Sequence, residues 1–240
     1  MDIKQQNRIL LFSTGQDSFI LKKVLQFKDE ECLFVNMGTK ENEIENKFID
    51  KYFPDVQQAT LPLVEFELEN KIIPFRNHFL ALFGAQYSNN IYFAFTRGDT
   101  TKDKDYVFKS QMEGIFNYFG LDHDKIRNTP PFFIHMPYKG ATKREMVKDY
   151  LLQGYDPEEL LTKSCSCYAG KEKPCGICRS CLRKFVSLYL NDIKIEGYFQ
   201  NNITIPYLTE FLLESKKKGR KEEIFDIEYC LGKLTKWKEK

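Results

Sequence analysis

An excess of charge of either sign is missing: 36 Lys and Arg stand against 34 Asp and Glu, a formal net charge of +2 over 240 residues. So small an imbalance gives no global field to draw the protein to nucleic acid or to a membrane surface. Long apolar runs are missing as well. The run from Ile9 to Phe12 is far too short to span a bilayer, and the opening MDIKQQNRILLF has no signal-peptide pattern. Neither an internal repeat nor a low-complexity segment is present. Disulfides are not expected, because seven cysteines, an odd number, fit a reducing compartment and a metal site better than a paired framework. Together these absences predict a soluble, cytoplasmic protein with no membrane and no nucleic-acid partner. Apolar residues make up 42% of the chain, enough for a real core, and the length suits one large α/β domain or one domain with an appendage.

What is present is concentrated in residues 165–181, CSCYAGKEKPCGICRSC, which hold five of the seven cysteines. Cys175, Cys178 and Cys181 repeat at the spacing that lets thiolates on one tight turn converge on a single ion, and Cys167 lies upstream as a fourth ligand. A closed shell of four thiolates is what a structural zinc ion prefers. The competing reading is a set of buried free cysteines.

Near the start, residues 8–12 (RILLF) read as a buried parallel strand. Ser13-Thr14-Gly15-Gln16-Asp17-Ser18 follows at once, and then the helical spacing of Phe19, Ile20, Leu21, Val24 and Leu25. Strand, small polar loop and helix is the layout of a phosphate cradle, in which backbone N–H groups and a helix N-terminus face an anion. Gly15 lets the backbone approach closely. The loop lacks both the G-x-x-x-x-G-K-[ST] of mononucleotide kinases and the three glycines of a dinucleotide fold. Asp17 beside a phosphate calls for a bridging cation. The competing reading is an ordinary turn with Ser13 or Asp17 as the helix N-cap.

Cys32–Asn36 reads as a second strand, 41–53 as a helix, and 56–64 as an edge-like third strand containing Pro62. This β-α-β-α-β start predicts a doubly wound, Rossmann-like parallel sheet with its ligands at the carboxyl ends of the strands. Asn77 can cap a helix to about Tyr87, which puts Arg76 near a helix N-terminus, a poor place for a cation unless it faces an anion. Residues 91–96 give a fourth strand. Residues 107–119 give a helix with Phe108, Met112, Ile115, Phe116 and Phe119 on one core face, and 132–136 a fifth strand. His135 reads as a strand-end histidine, not a ligand. Thr142-Lys143-Arg144-Glu145 has capping-box form and opens a helix through Leu152, again with a cation, Lys143, in the first turn. Helices near 206–215 and 221–234 close the chain. The basic run 216–221 between them reads as a solvated linker, with a docking patch for an acidic partner as the alternative.

The loop S-x-G-x-D-S resembles the pyrophosphate loop of ATP pyrophosphatases, usually S-G-G-x-D-S, with Thr14 in place of the first glycine. It is paired here with Ser166-Cys167-Tyr168 and Cys175-Gly176-x-Cys178-x-Ser180-Cys181, with Arg183 beyond. Together with Arg76-Asn77 and the T-K-x-E helix start, the combination over residues 8–187 is similar to the 7-cyano-7-deazaguanine synthases. That resemblance implies an adenine nucleotide alpha hydrolase-like fold, ATP and Mg2+ as cofactors, one Zn2+ on four cysteines, and a homodimer. It implies a ligase that adenylates the carboxylate of 7-carboxy-7-deazaguanine, admits ammonia to give the amide, and uses a second ATP to give the nitrile. Ser13, Thr14, Gly15, Gln16, Asp17 and Ser18 would hold the nucleotide, and Asp17, Ser18, Arg76 and Lys143 would serve the chemistry. Cys167, Cys175, Cys178 and Cys181 would ligate zinc; the SCY register selects Cys167 and leaves Cys165 a spare thiol. The implied organisation is an ATP-binding α/β domain over 1–160, a zinc-binding segment over 161–187 and a helical C-terminal extension over 188–240.

The chain also departs from the family. The G-Y-P-D-C-R segment after the fourth strand is absent from residues 100–111, the segment before Arg76 is shortened to ELENKI, and the family's histidine after Gly38 is missing. Thr14 can still offer its N–H if its φ is negative. Since some relatives occur in bacterial antiviral operons, the resemblance leaves open a divergent enzyme that passes the activated carboxylate to a protein amine. Two further alternatives are a zinc-stabilised binding module with a decayed ATP loop, and a tRNA-modifying ATP pyrophosphatase.

Overall fold

The structure, a computed structural model, describes residues 6–69, 71–99, 101–121, 131–165, 167, 169 and 173–238. Ser166 and Tyr168 of the SCY motif, Thr100 and the first five residues lie outside the described residues, as does the side chain of Phe119. β1 (Ile9–Leu11) leads into α1 (Gln16–Val24), and β2 (Cys32–Asn36) leads into α2 (Lys40–Tyr52) and β3 (Gln57–Thr60). α3 (Arg76–Gly84) precedes β4 (Asn90–Tyr92), and α4 (Tyr106–Leu121) precedes β5 (Phe133–His135). α5 (Lys143–Leu152), α6 (Pro157–Lys163), α7 (Arg179–Tyr189), α8 (Ile205–Lys217) and α9 (Lys221–Lys238) follow. The five strands form one sheet in the order β3-β2-β1-β4-β5, with every neighbour parallel. Strand order reverses at β1, so the loop after β1 opens at the switch point where such sheets bind ligands. This is the doubly wound α/β architecture expected from the sequence.

Side chains along each strand alternate between the sheet's faces. Leu10, Cys32 and Phe34 pack with Phe19 of α1, Ile49 of α2 and Met146 of α5. Ile9, Leu33, Val35 and Ile91 pack on the other face with Ala81 of α3 and Phe108 of α4. Each such side chain, fully buried, is worth about 1.5–3 kcal/mol of transfer free energy. A third core lies apart from the sheet. There Cys175, Cys181 and Phe185 pack against Leu208 and Phe211 of α8 and Ile227 of α9.

Several boundaries differ from the sequence expectation, and hydrogen bonding explains them. The third strand stops at Thr60, not at residue 64. Leu61 still bonds Asn36 O at 2.8 Å, but Pro62 has no N–H, and Leu63 and Val64 both turn to Met37 O at 3.1 Å. The fourth strand ends at Tyr92, and the Thr96 N–H goes to Asp99 Oδ2 at 2.9 Å. Asn77 does not cap α3: the N-cap is Phe75 in a left-handed conformation (φ 58°), and Asn77 Nδ2 donates to Asp103 at 2.7 Å. On α4, Phe108, Met112 and Phe116 are buried, whereas Ile115 stands beside that stripe and is 43% exposed. The basic run is no linker. Its residues end α8, turn and begin α9, with Lys216 on Glu228 at 2.8 Å and Arg220 on Glu223 at 3.2 Å. The capping box at Thr142 and Glu145 forms as expected, and His135 sits at a strand end stacked on Tyr92. Among the described residues no helix is long and apolar enough to cross a membrane.

Phe211 is 3% exposed and packs in the same core as Cys175 and Cys181. Phe211→Ala should therefore cost about 3–5 kcal/mol, read from urea unfolding; an unchanged midpoint would show that α8 is not part of that core.

Candidate functional site

The four cysteines picked out by spacing come together. The Sγ atoms of Cys167, Cys175, Cys178 and Cys181 all lie within 4.8 Å of one another. Backbone N–H groups point at the sulfurs: Cys175 N at Cys167 Sγ (3.2 Å), Cys178 N at Cys175 Sγ (3.3 Å) and Cys181 N at Cys178 Sγ (3.4 Å). Such donors stabilise thiolates. Hydrogen bonds from the Cys181 thiol and the Cys181 amide pull Cys178 down to about 5, and the thiolate is the metal-binding form. Gly176 makes the knuckle feasible. Its φ is +80°, and a Cβ there would stand 2.3 Å from Asn201 O. Asn201 Nδ2 in turn donates to Cys175 O at 2.7 Å, a clamp that the cysteine spacing did not reveal. Four converging thiols with inward amides fit a closed structural zinc shell, which leaves no open position for water.

The loop 13–18 meets this cluster directly. Cys165 N donates to Thr14 O at 2.8 Å, and Gly15 and Cys165 form a parallel β-bridge. Cys165 is thus no ligand but a backbone strut, and burial pushes its thiol up to about 11. α1 has Gly15 as N-cap with no side-chain capping bond, so neither Ser13 nor Asp17 caps it, and its first N–H groups stay open to an anion. A Cβ at Gly15 would come within 3.3 Å of Ser13 Oγ, crowding the cradle. Ser18 Oγ accepts from Ser13 N at 3.3 Å and donates to Gly15 O at 3.1 Å, which closes the loop on itself.

Ser13, Gly15, Gln16, Asp17, Ser18, Arg76 and Lys143 all line one cavity of about 300 Å³ at the strand ends. Thr14 does not: it is fully buried at φ 54°, where a negative φ was expected, and its hydroxyl has no hydrogen-bond partner among the described residues. The Gln16 side chain is turned inward to Ser187 at 2.9 Å, so this residue can serve a ligand only through its backbone. Lys143 forms an ion pair with Asp17 Oδ2, while Asp17 Oδ1 is buried without a hydrogen-bond partner among the described residues. A cation lying between Asp17 and an anionic ligand fits that orphaned oxygen.

Sequence reasoning gave no site role to several further residues of the cavity wall, among them Asp99, Arg183 and Lys184. Burial alone would raise the Asp99 carboxyl, but Lys104 at 3.0 Å, Lys143 and the Thr96 N–H hold it well below the ordinary carboxylate range. Burial, helped by Arg220 and Arg179, pulls the Arg183 guanidinium down to about 10, and Glu223 of α9 pairs with it. The only sequence signal for these residues was their place after β4 and after the last cysteine.

A family model described as "Queuosine biosynthesis protein QueC" matches residues 54–189, more than half of the chain. The chain belongs to the QueC family. It is a divergent member. Over 215 residues it is 24% identical to the 7-cyano-7-deazaguanine synthase of Hahella chejuensis, covering 77% of this chain and 89% of that protein. The corresponding protein of Pseudoalteromonas translucida is 24% identical over 234 residues, covering 84% and 97%. A shorter stretch of 69 residues is 36% identical to 7-cyano-7-deazaguanine synthase 2 of Colwellia psychrerythraea, covering 29% of this chain and 30% of that one.

Within the QueC family, this chain carries a β-branched residue at a left-handed loop position, a backbone state that costs such residues about 1–2 kcal/mol. Glycine would remove both that cost and the orphaned hydroxyl. Thr14→Gly should therefore raise stability by about 1 kcal/mol, seen as a higher thermal midpoint; a lower midpoint would mean that the Thr14 side chain packs better than its backbone suffers.

Proposed function

We propose that the chain is an ATP-dependent ligase of the 7-cyano-7-deazaguanine synthase type. It adenylates the carboxylate of 7-carboxy-7-deazaguanine, splitting ATP into AMP and pyrophosphate, for attack by an amine. One observation carries this reading: Ser13, Asp17, Ser18, Arg76 and Lys143, brought from three separate stretches of sequence, line the same cavity, and its loop is paired to the cysteine segment through Gly15 and Cys165.

The chemistry demands such a site. A carboxylate is a poor electrophile because its leaving group would be oxide. Adenylation supplies a better leaving group, provided that the carboxylate is aligned with the α-phosphorus and the developing charge is neutralised. The open N–H groups of α1 and the hydroxyls of Ser13 and Ser18 hold the pyrophosphate. Lys143, paired with Asp17, would neutralise a phosphate oxygen, and Asp17 would hold magnesium, which would neutralise phosphate charge. Arg76 neutralises the substrate side. The amine lone pair then bonds the carbonyl carbon, the bond to AMP breaks, and a proton passes to solvent. The four cysteines hold zinc as a structural ion.

A second reading concerns the acceptor. Phe66, Leu68, Ile72 and Phe75 are each more than half exposed and alternate in sequence with Glu67, Lys71 and Arg76, which line the cavity. An apolar lip at the mouth suits a polypeptide acceptor that brings an amine, in place of free ammonia.

Purified protein incubated with ATP, 7-carboxy-7-deazaguanine and ammonium should release AMP and pyrophosphate only when the carboxylate is present, with Asp17→Ala inactive. Mass spectrometry then separates the acceptors: efficient amide and nitrile formation supports ammonia, and AMP release without either product supports the polypeptide. If the zinc-loaded protein makes no carboxylate-dependent AMP, the ligase reading fails.

A further inference from the structure

Lys184 is a buried cation for which the adenylation chemistry has no task. It is 1% exposed and sits on α7, three residues beyond Cys181. Its ammonium donates to Ser164 O and Ser164 Oγ, both at 2.9 Å, and to Tyr198 Oη at 2.7 Å, with Leu160 O at 3.5 Å. Tyr198 spends its own proton on Leu161 O at 3.1 Å, so every partner of the lysine is an oxygen that accepts from it. Burial pulls the Lys184 ammonium down to about 7, so these oxygens offset only part of its desolvation.

Two arms lead from this lysine to the two sides of the phosphate loop. Along the first, Lys184 fixes Ser164, the next residue is Cys165, and Cys165 binds Thr14 O at 2.8 Å and bridges Gly15. Along the second, the Lys184 carbonyl accepts from Ser187 Oγ at 2.9 Å, and Ser187 Oγ accepts from Gln16 Nε2 at 2.9 Å. Thr14 and Gln16, on either side of Gly15, are thus held by one residue. Thr14, Gln16, Ser164, Cys165, Lys184 and Ser187 are each at most 5% exposed, so water does not compete for these bonds. The helix that carries Lys184 is itself anchored in the metal cluster, since Cys178 is its N-cap and Cys181 lies in its first turn.

We propose that Lys184 is the positioning residue that sets the phosphate loop, and that it transmits the order of the cysteine cluster to ATP binding. The proposal rests on the reading of residues 13–18 as the ATP site. Lys184 borders the cavity, but its side-chain nitrogen is spent on Ser164 and Tyr198. Its side chain acts through Ser164–Cys165, its backbone carbonyl anchors Ser187, and together they keep the backbone of 14–16 in the shape that receives phosphate. A loop amide displaced by even a fraction of an ångström loses much of its value to an anion.

The test is ATP affinity by calorimetry on the full-length, zinc-loaded chain, with zinc content measured on the same samples. Lys184→Met keeps the length of the side chain and deletes its charge. It should weaken the dissociation constant about tenfold while one zinc per chain is retained. Ser187→Ala cuts only the second arm, and should weaken binding about threefold. A merely structural role would reduce the fraction of competent protein and leave the dissociation constant of the remainder unchanged. If Lys184→Met does not fold, Ser164→Ala, which removes one acceptor of the Lys184 side chain and leaves the backbone in place, decides in its stead and should weaken binding about threefold. Wild-type affinity in the folded variants overturns the proposal while leaving the ATP reading intact. Failure of the wild type to bind ATP overturns the reading of the loop and the proposal with it.

Discussion

The backbone pairing between Gly15 and Cys165 is the contact on which the site depends. The loop after β1 is short, polar and left uncapped at the start of α1, and among the described residues its internal side-chain bonds are those of Ser18 to Ser13 and Gly15. Its outer support comes from the far end of the chain. The Cys165 N–H and the adjacent bridge give the loop a rigid edge, and the segment that carries them is fixed on one side by α6 and on the other by the cysteine cluster. A metal ion held by the four cysteines would order a segment with little apolar content of its own, and that segment pairs with the loop after β1.

Charge is arranged around this frame in pairs that a ligand can rearrange. Lys143 pairs with one oxygen of Asp17, and Lys104 pairs with Asp99. The capping box holds Lys143 at the N-terminus of α5, where the helix dipole opposes its charge, so Lys143 gains from any phosphate that reaches it. Glu223 of α9 plays the corresponding part for Arg183, and Asn201, in the segment before α8, clamps the cysteine knuckle. The helices beyond the last cysteine are thus part of the site's support.

Much of this was legible in the sequence because it rests on short-range patterns. Strand, small polar loop and helix gave the β1–α1 turn, short continuous apolar runs gave the parallel strands, and the cysteine spacing selected the four sulfurs that converge. Boundaries were missed where one backbone group decided the outcome: Pro62 ended β3, and Asp99 diverted the Thr96 N–H. The left-handed turns at Thr14 and Phe75 were missed because both residues ordinarily avoid that conformation. The bonds that join Lys184, Ser187 and Gln16 link residues far apart in sequence, and no local pattern announces them. Cys165 read as a spare thiol because its role is carried by its backbone.

The central claim, that the cysteine cluster and the phosphate loop form one mechanical unit, is tested most directly by hydrogen exchange on zinc-loaded and chelated protein. Metal removal is predicted to speed exchange at the amides of residues 14–18 as well as 165–181, while β1 to β5 remain protected. Unchanged protection of residues 14–18 after the metal is removed would contradict the account.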